Sequence, residues 1–254
     1  MRDENKLLNV EQGRVGLVLG GGAALGLAHV GVIRALEEEK IPVDIVVGCS
    51  MGALVGGLWA SGRSADDMEK IAREFEKKTG MLKLLDLPLE RGFLLLAVSA
   101  VLFWFHQSIL AAIVLGLLVI VGAIPGAGIV KGQAVARWLN NKFGKATFEQ
   151  TRMTLIMVAY DLCQHQEIVL GQGPIAPAVY QSIALPGILP PVTAPGRMIV
   201  DGGVLNPLPV SVLVNMGVKK IIAVNVLLPA HPLPSGQASA RQVAVIPDVI
   251  VRSL

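Results

Sequence analysis

Short apolar runs alternate with longer mixed segments along most of the chain, a pattern typical of strands and amphipathic helices. Residues 15–19 form an apolar, β-rich run, three glycines follow, and residues 25–40 repeat apolar positions at helical spacing. The unit recurs at once, with a strand predicted over 43–47, the turn GCSMG, and an apolar helix over 53–60. Two consecutive strand-turn-helix units predict an α/β fold with a mainly parallel sheet.

The rest of the chain continues this alternation without an internal repeat. Helices are predicted over 64–78 and 133–143, and strands over 154–160, 167–170, 198–200 and 220–226. We therefore expect a single domain over residues 1–254 with its core at about 14–228. Residues 229–254 are expected to form a tail, and its apolar end without a helix stop signal is typical of a truncated C-terminus.

One segment departs from the alternation because it is apolar throughout. From Gly92 to Val130 the chain contains no Asp, Glu, Lys or Arg. A soluble core helix is rarely this long or apolar on every face. We expect residues 93–127 to be an apolar helical membrane insertion, in preference to a buried hairpin or a lid that binds a partner.

Basic residues flank this insertion on both sides, which predicts that both of its ends stay in the cytoplasm. They are Lys77, Lys78, Lys83 and Arg91 before it, and Lys131, Arg137, Lys142 and Lys145 after it. The insertion must then enter the bilayer and return, either as a short hairpin or re-entrant element or as two complete spans. The protein is expected at the bacterial inner membrane, with its catalytic domain facing the cytoplasm.

Composition narrows the function classes. The chain is 53% hydrophobic and 16% charged, and its net charge of +3 is too small to indicate a nucleic-acid partner. Two cysteines, Cys49 and Cys163, cannot form a disulfide framework, and the polar start of the chain lacks the apolar core of a signal peptide. Both features favour a reducing compartment.

The first glycine cluster, Gly20, Gly21 and Gly22, lies where a phosphate-binding loop would lie. The GxGxxG spacing fails at Leu25, and no P-loop lysine follows. Backbone N–H groups beside a helix N-terminus also suit a transient anion, such as the oxyanion of acyl transfer. The alternative is that these glycines only permit a tight turn.

The second cluster, GCSMG, places Ser50 between Gly48 and Gly52 at a predicted strand-to-helix turn. That context is typical of a nucleophile elbow, although GxSxG alone is common by chance. A serine nucleophile needs a base. Asp201 follows a predicted strand and precedes Gly202 and Gly203, which suits it for that task, whereas a plain turn is the alternative.

The four histidines are weaker candidates for the base. His29 lies within a predicted helix, His106 in the insertion, His165 in a predicted hairpin turn and His231 in a proline-rich tail. Each is expected to be a surface or packing residue.

Three stretches, taken in order, resemble the motifs of bacterial patatin-like phospholipases. They are GGGAALGLAHVGVIRALEE, GCSMG and DGGVLNPLPV. QSIALPGILPPV and GIVKGQAVARWL also resemble stretches of that family, and the similarity covers residues 15–228 apart from the insertion. The resemblance implies a patatin-like three-layer fold and a Ser-Asp dyad of Ser50 and Asp201, with Gly20 to Gly22 as the oxyanion loop. It also implies acyl esters of lipids as substrates, with no metal or cofactor.

The expected activity is therefore that of a serine lipid acyl hydrolase, resembling phospholipase A or lysophospholipase, acting at a bilayer. Leu25 departs from the family, which often carries Arg or Lys at this position, and it puts cationic help near the oxyanion in doubt. Two alternatives remain open. The chain could be an inactive membrane-anchored scaffold, or a Ser-Asp-His esterase that uses His231.

Overall fold

The computed structural model of the protein describes residues 14–76, 130–227 and 248–253. The predicted insertion at 93–127 and most of the tail lie outside the described residues. Eight strands are described, namely β1 (Val15–Leu19), β2 (Ile45–Cys49), β3 (Thr154–Asp161), β4 (Gln166–Leu170), β5 (Val192–Ala194), β6 (Arg197–Asp201), β7 (Lys220–Asn225) and β8 (Asp248–Ser253). They form one sheet in the order β5-β6-β3-β2-β1-β7-β8, with β4 also paired to β3.

The sheet is mixed rather than mainly parallel. The predicted parallel pairing of β1 with β2 is confirmed, and β1–β7 and β2–β3 are parallel as well. Strands β4, β5, β6 and β8 join through antiparallel pairs. The prediction of a mainly parallel sheet was wrong because the links β3–β4 and β5–β6 are too short for a crossover and can only form hairpins.

Helices cover both faces of this sheet, as a three-layer fold requires. The described helices are α1 (His29–Glu38), α2 (Met51–Ala60), α3 (Ala65–Glu76), α4 (Gly132–Phe143), α5 (Ile175–Ile183) and α6 (Val210–Asn215). In one hydrophobic cluster, helices α1, α2, α3, α4 and α5 pack on one face of the sheet. In a second cluster, α6 packs on the opposite face. Short 3-10 turns occupy Ala23–Ala28, Phe148–Gln150 and Gly202–Val204.

Most predicted elements are confirmed with small shifts in their bounds. β2 begins at Ile45 instead of residue 43, because the Asp44 side chain accepts a hydrogen bond from the Val15 N–H at 2.7 Å and so belongs to the lead-in. The predicted helix over 25–40 is a 3-10 turn followed by α1. The pattern did not predict α5, α6, β5 or β8.

Strand β3 changes partner along one edge, and this change positions the functional residues. The first half of β3 pairs with β2, and the last pair joins Val158 of β3 to Cys49 of β2. The second half pairs with β6, and this pairing begins where Ala159 of β3 meets Asp201 of β6. β4 shares β3 residues with both of these strands, so it occupies the opposite edge of β3. β2 and β6 therefore lie end to end, and their last residues meet.

Helix α2 packs against β1 so closely that only a glycine fits at position 52. A Cβ atom built on Gly52 would overlap the carbonyl oxygen of Leu19, which is backbone and cannot move aside as a side chain could. The start of α2 is thereby fixed over the carboxyl end of β1.

We predict that Gly52→Ala lowers the free energy of unfolding by roughly 3 kcal/mol, because α2 must shift away from β1. Gly31→Ala is the matched control, since Gly31 lies in α1 and an added Cβ meets nothing within 4 Å. That change should stabilise the protein by about 0.5–1 kcal/mol through helix propensity. Urea unfolding under identical conditions measures both, and equal stability of the Gly52→Ala protein would contradict the packing argument.

Candidate active site

Ser50 lies at the sharp turn between β2 and α2. Its backbone adopts φ 53° and ψ −120°, a conformation that non-glycine residues rarely occupy. The preceding glycine permits the turn, because a Cβ at Gly48 would lie 2.6 Å from the Cα of Ala53. The structure thus has the strained strand-to-helix geometry that the sequence pattern GCSMG predicted.

Asp201 is the last residue of β6 and is only 3% exposed. The Ser50 hydroxyl donates a hydrogen bond of 2.5 Å to its Oδ2, and the Gly203 N–H donates one of 2.7 Å to its Oδ1. Gly202 lies against β3, where an added Cβ would be 2.7 Å from the Val158 carbonyl oxygen. The structure therefore brings the two predicted residues, Ser50 and Asp201, into direct contact.

The electrostatics of Asp201 reflect its burial. Loss of hydration raises the pKa of this carboxyl above its ordinary value, and the hydrogen bonds from Ser50 and Gly203 oppose that rise. A carboxylate with a raised pKa is a stronger base than an exposed aspartate. The site thereby offsets part of the usual weakness of a carboxylate as a base toward a hydroxyl.

The glycine loop lies beside Ser50, since a Cβ at Gly21 would be 3.4 Å from the Ser50 Cβ. Two of its three N–H groups are already used within the fold. Gly20 donates to the Val224 carbonyl at 3.1 Å, and Gly21 donates to the Pro207 carbonyl at 2.8 Å. The prediction that Gly20 and Gly21 supply their amides to an oxyanion was therefore wrong for this structure, because those amides anchor the loop.

Other amides near Ser50 are available to an anion. Among the described residues, no acceptor is found for the N–H groups of Gly22, Ala23 or Met51. Met51 is also the first residue of α2, where the positive end of the helix dipole favours negative charge. Of the predicted oxyanion glycines, Gly22 alone keeps an available N–H.

The described histidines form no hydrogen bond or ion pair with Ser50 or Asp201. His29 is fully buried, and its Nε2 lies 2.8 Å from the Gly20 carbonyl oxygen, so it supports the glycine loop. Burial lowers the pKa of His29, which favours a neutral ring that donates through Nε2–H. His165 is exposed in the predicted turn between β3 and β4. His106 and His231 lie outside the described residues.

Sequence reasoning missed Ser182, at the end of α5. Its buried hydroxyl accepts a hydrogen bond from the Ser50 N–H at 2.9 Å and donates one to the Val158 carbonyl at 2.7 Å. Two residues later, the Ala184 carbonyl accepts from the Asp201 N–H at 3.0 Å. The only sequence signal was a serine next to Gln181 at the start of an otherwise apolar stretch, QSIALPGILPPV.

The Ser50–Asp201 pair opens into an apolar cavity of about 240 Å³. Its walls come from α2, α4 and the segment after α5, and the lining residues are Ala23, Ser50, Met51, Leu54, Val135, Trp138, Ile183, Leu185, Ile188, Leu189 and Asp201. A larger apolar cavity of about 470 Å³, between α4 and α5, includes neither reactive residue. We therefore take the smaller cavity as the candidate active site.

Comparison with known proteins shows the family of the chain. The sequence matches the patatin-like phospholipase family over residues 17–214. It is 31% identical to the neuropathy target esterase sws of Drosophila melanogaster over 214 residues, which is 84% of this chain and 13% of that protein. It is also 31% identical to an uncharacterized NTE family protein of Mycobacterium tuberculosis over 212 residues, or 84% of this chain and 49% of that one.

The chain thus spans about half the length of the mycobacterial relative and a smaller share of the fly protein. Among solved structures, the crystal structure of VipD from Legionella pneumophila matches with a TM-score of 0.46 and 17% identity, over 79% of this chain and 47% of that one. On the family match and the identity to these curated relatives, the chain belongs to the patatin-like phospholipase family.

Proposed function

We propose that this protein is a serine hydrolase that cleaves fatty-acyl esters of lipids through a Ser50–Asp201 dyad. The observation that carries the proposal is the 2.5 Å hydrogen bond from the Ser50 hydroxyl to the buried Asp201 carboxylate, at the end of an apolar cavity. Membership of the patatin-like phospholipase family supports a lipid substrate. The apolar walls suit an acyl chain, with the ester carbonyl placed at Ser50.

In the first half of the reaction, Asp201 accepts the Ser50 proton as the hydroxyl oxygen attacks the ester carbonyl carbon. The oxyanion that forms is stabilised by the available N–H groups of Gly22, Ala23 and Met51. Collapse of this intermediate breaks the ester bond, and the alcohol leaves with the proton from Asp201. The acyl group remains on Ser50.

In the second half, Asp201 removes a proton from water as the water attacks the acyl-enzyme. The fatty acid leaves, and Ser50 recovers its proton. Only the ionised carboxylate acts as the base in either half. Because burial raises the pKa of Asp201, the base is lost at a higher pH than an exposed aspartate would be.

Ser50→Ala and Asp201→Asn should each abolish hydrolysis of a soluble short-chain ester while leaving the fold intact, because each removes half of one unit. The double variant should be no worse than either single one, since residues that act as a unit are not additive. Ser211→Ala is the matched control, because Ser211 is exposed and its described bond is to Asn206. Circular dichroism verifies folding.

Two outcomes would contradict the dyad. Substantial activity in Asp201→Asn, with loss of activity in His231→Ala, would favour the Ser-Asp-His alternative. Failure of a fluorophosphonate probe to label Ser50 in the intact protein would favour the inactive scaffold.

The end of α5 holds the backbone of both dyad residues in place. Ser182 binds the Ser50 N–H, and the Ala184 carbonyl binds the Asp201 N–H. Ser182 is itself fixed by its bond to Val158 of β3, at the point where β2 and β6 meet. We infer that the bond between the Ser182 hydroxyl and the Ser50 N–H maintains the strained backbone of Ser50 and so preorganises the nucleophile.

Ser182→Ala should lower kcat by roughly 10–100-fold with little change in KM, because a bond that positions the nucleophile is lost. It should also lower the free energy of unfolding by about 1–3 kcal/mol, since the Ser50 N–H and Val158 carbonyl lose a partner. Ser61→Ala is the control, because the Ser61 hydroxyl is buried and has no partner among the described residues. A Ser182→Ala enzyme with unchanged kcat would reject the positioning role.

We further propose that the protein acts at a membrane, through the apolar segment 93–127. Among the described residues, no helix combines the length and apolar character needed to cross a membrane. The proposal therefore depends on the sequence of residues 93–127 alone. Removing some thirty apolar residues from water is worth tens of kcal/mol at about 25 cal/mol per Å².

The full chain should remain in the membrane fraction after washing with high salt or alkali, whereas a version that joins Gly92 directly to Gly128 should be soluble. The shortened protein should still hydrolyse a soluble ester, because the dyad, its cavity and Ser182 all lie outside the removed segment. Its rate on bilayer lipid should fall. Cell fractionation with parallel assays measures both effects, and unfolding of the shortened protein would show that the segment belongs to the core.

A further inference from the structure

Five exposed apolar side chains lie in the three segments that border the reactive cavity. We call them the apolar lip: Leu25, Leu185, Ile188, Val204 and Leu205, which are 37–55% exposed. Leu25 lies in the 3-10 turn after the glycine loop, Leu185 and Ile188 line the cavity itself, and the last two follow Asp201 in a tight turn.

The segments that carry the lip contain no charged residue. Residues 23–28 read AALGLA, residues 184–189 read ALPGIL, and residues 202–208 read GGVLNPL. The opposite end of the sheet, where β2 begins, is different, because the link from α1 to β2 carries Glu39, Lys40 and Asp44. Loops that face water are usually polar, so the uncharged loops around the cavity are unusual for a surface that faces only water.

After the apolar segment, the described fold resumes at Val130, which lies beside this lip. Val130, the first described residue after it, donates a backbone hydrogen bond of 3.0 Å to the carbonyl of Ile188. Ile188 both belongs to the lip and lines the cavity that holds Ser50 and Asp201. Val130, the lip and the cavity are therefore contiguous.

We propose that the apolar lip inserts into the surface of a lipid bilayer and holds the mouth of the cavity against it. This inference rests on the proposed lipid substrate. An acyl chain can then pass from the bilayer to Ser50 along an apolar surface, without exposure to water. Because the three segments carry no charge, the lip requires no anionic lipid, and its contact with the bilayer should be insensitive to salt.

The test uses single cysteines that carry an environment-sensitive fluorophore in the full chain. All variants carry Cys163→Ser, because Cys163 is exposed and would react with the fluorophore. Cys49 is buried and should not react. Leu25→Cys and Leu205→Cys report on the lip. Ile41→Cys is the matched control, because Ile41 is 42% exposed and Leu25 is 44% exposed, but Ile41 lies at the opposite end of the sheet.

After reconstitution into phosphatidylcholine vesicles, the fluorescence emission of both lip probes should shift to shorter wavelength. Lipids that carry a spin label on the acyl chain should quench this emission. The Ile41 probe should behave as in water, and high salt should change none of the three signals. Lip probes as accessible to water as the Ile41 probe would overturn the proposal. A lip signal that depends on protein concentration without vesicles would also overturn it, and would indicate contact between copies of the chain.

Activity of the Cys163→Ser background on a soluble ester separates this proposal from the proposed function. Hydrolysis of the soluble ester with no probe insertion would reject the lip and keep the hydrolase. Insertion without hydrolysis would keep the lip and reject the hydrolase. In addition, Leu205→Ser should lower the rate on vesicle lipid severalfold relative to the rate on the soluble ester, whereas Ile41→Ser should leave this ratio unchanged.

Discussion

The geometry of the site depends on the change of partner along one edge of β3. Because β2 and β6 lie end to end on that edge, Cys49 and Asp201 pair with the adjacent residues Val158 and Ala159. Ser50 then follows β2 at the point where β6 ends, and the hydroxyl meets the carboxylate. A parallel β6 would end elsewhere on the sheet. The antiparallel pairing of β6 with β3 is thus what brings Asp201, a residue late in the chain, to Ser50.

Local sequence patterns placed Ser50 and Asp201 at the ends of strands, and the family resemblance paired them, but neither showed how the fold brings them together. GCSMG follows a buried apolar run, and Asp201 ends one, so each was placed correctly at the end of a strand. The order of strands in the sheet depends on pairings between residues far apart in sequence, which no local period records. The mixed sheet was missed for that reason. Helix α5 was missed as well; it is only nine residues long and carries Pro177 in its first turn.

The glycine loop shows why a motif alone does not assign a hydrogen-bond donor. Gly20, Gly21 and Gly22 are chemically alike, yet the fold uses the first two amides to tie the loop to Val224 and Pro207. Pro207 belongs to the segment after Asp201, so one bond joins the loop to the base side of the site. Backbone partners of this kind are set by tertiary structure. The sequence could therefore indicate an anion-binding loop without showing which amides remain available.

Burial has two opposing effects on Asp201 as the candidate base. It raises the pKa of Asp201 and so strengthens the base, but it would also disfavour the charged carboxylate if no donor met it. The bonds from Ser50 and Gly203 compensate for this cost. The apolar walls of the cavity beside Asp201 are the same surface that suits an acyl chain. The apolar surroundings of Asp201 at the junction of β2 and β6 therefore bear both on the strength of the candidate base and on the substrate that the cavity suits.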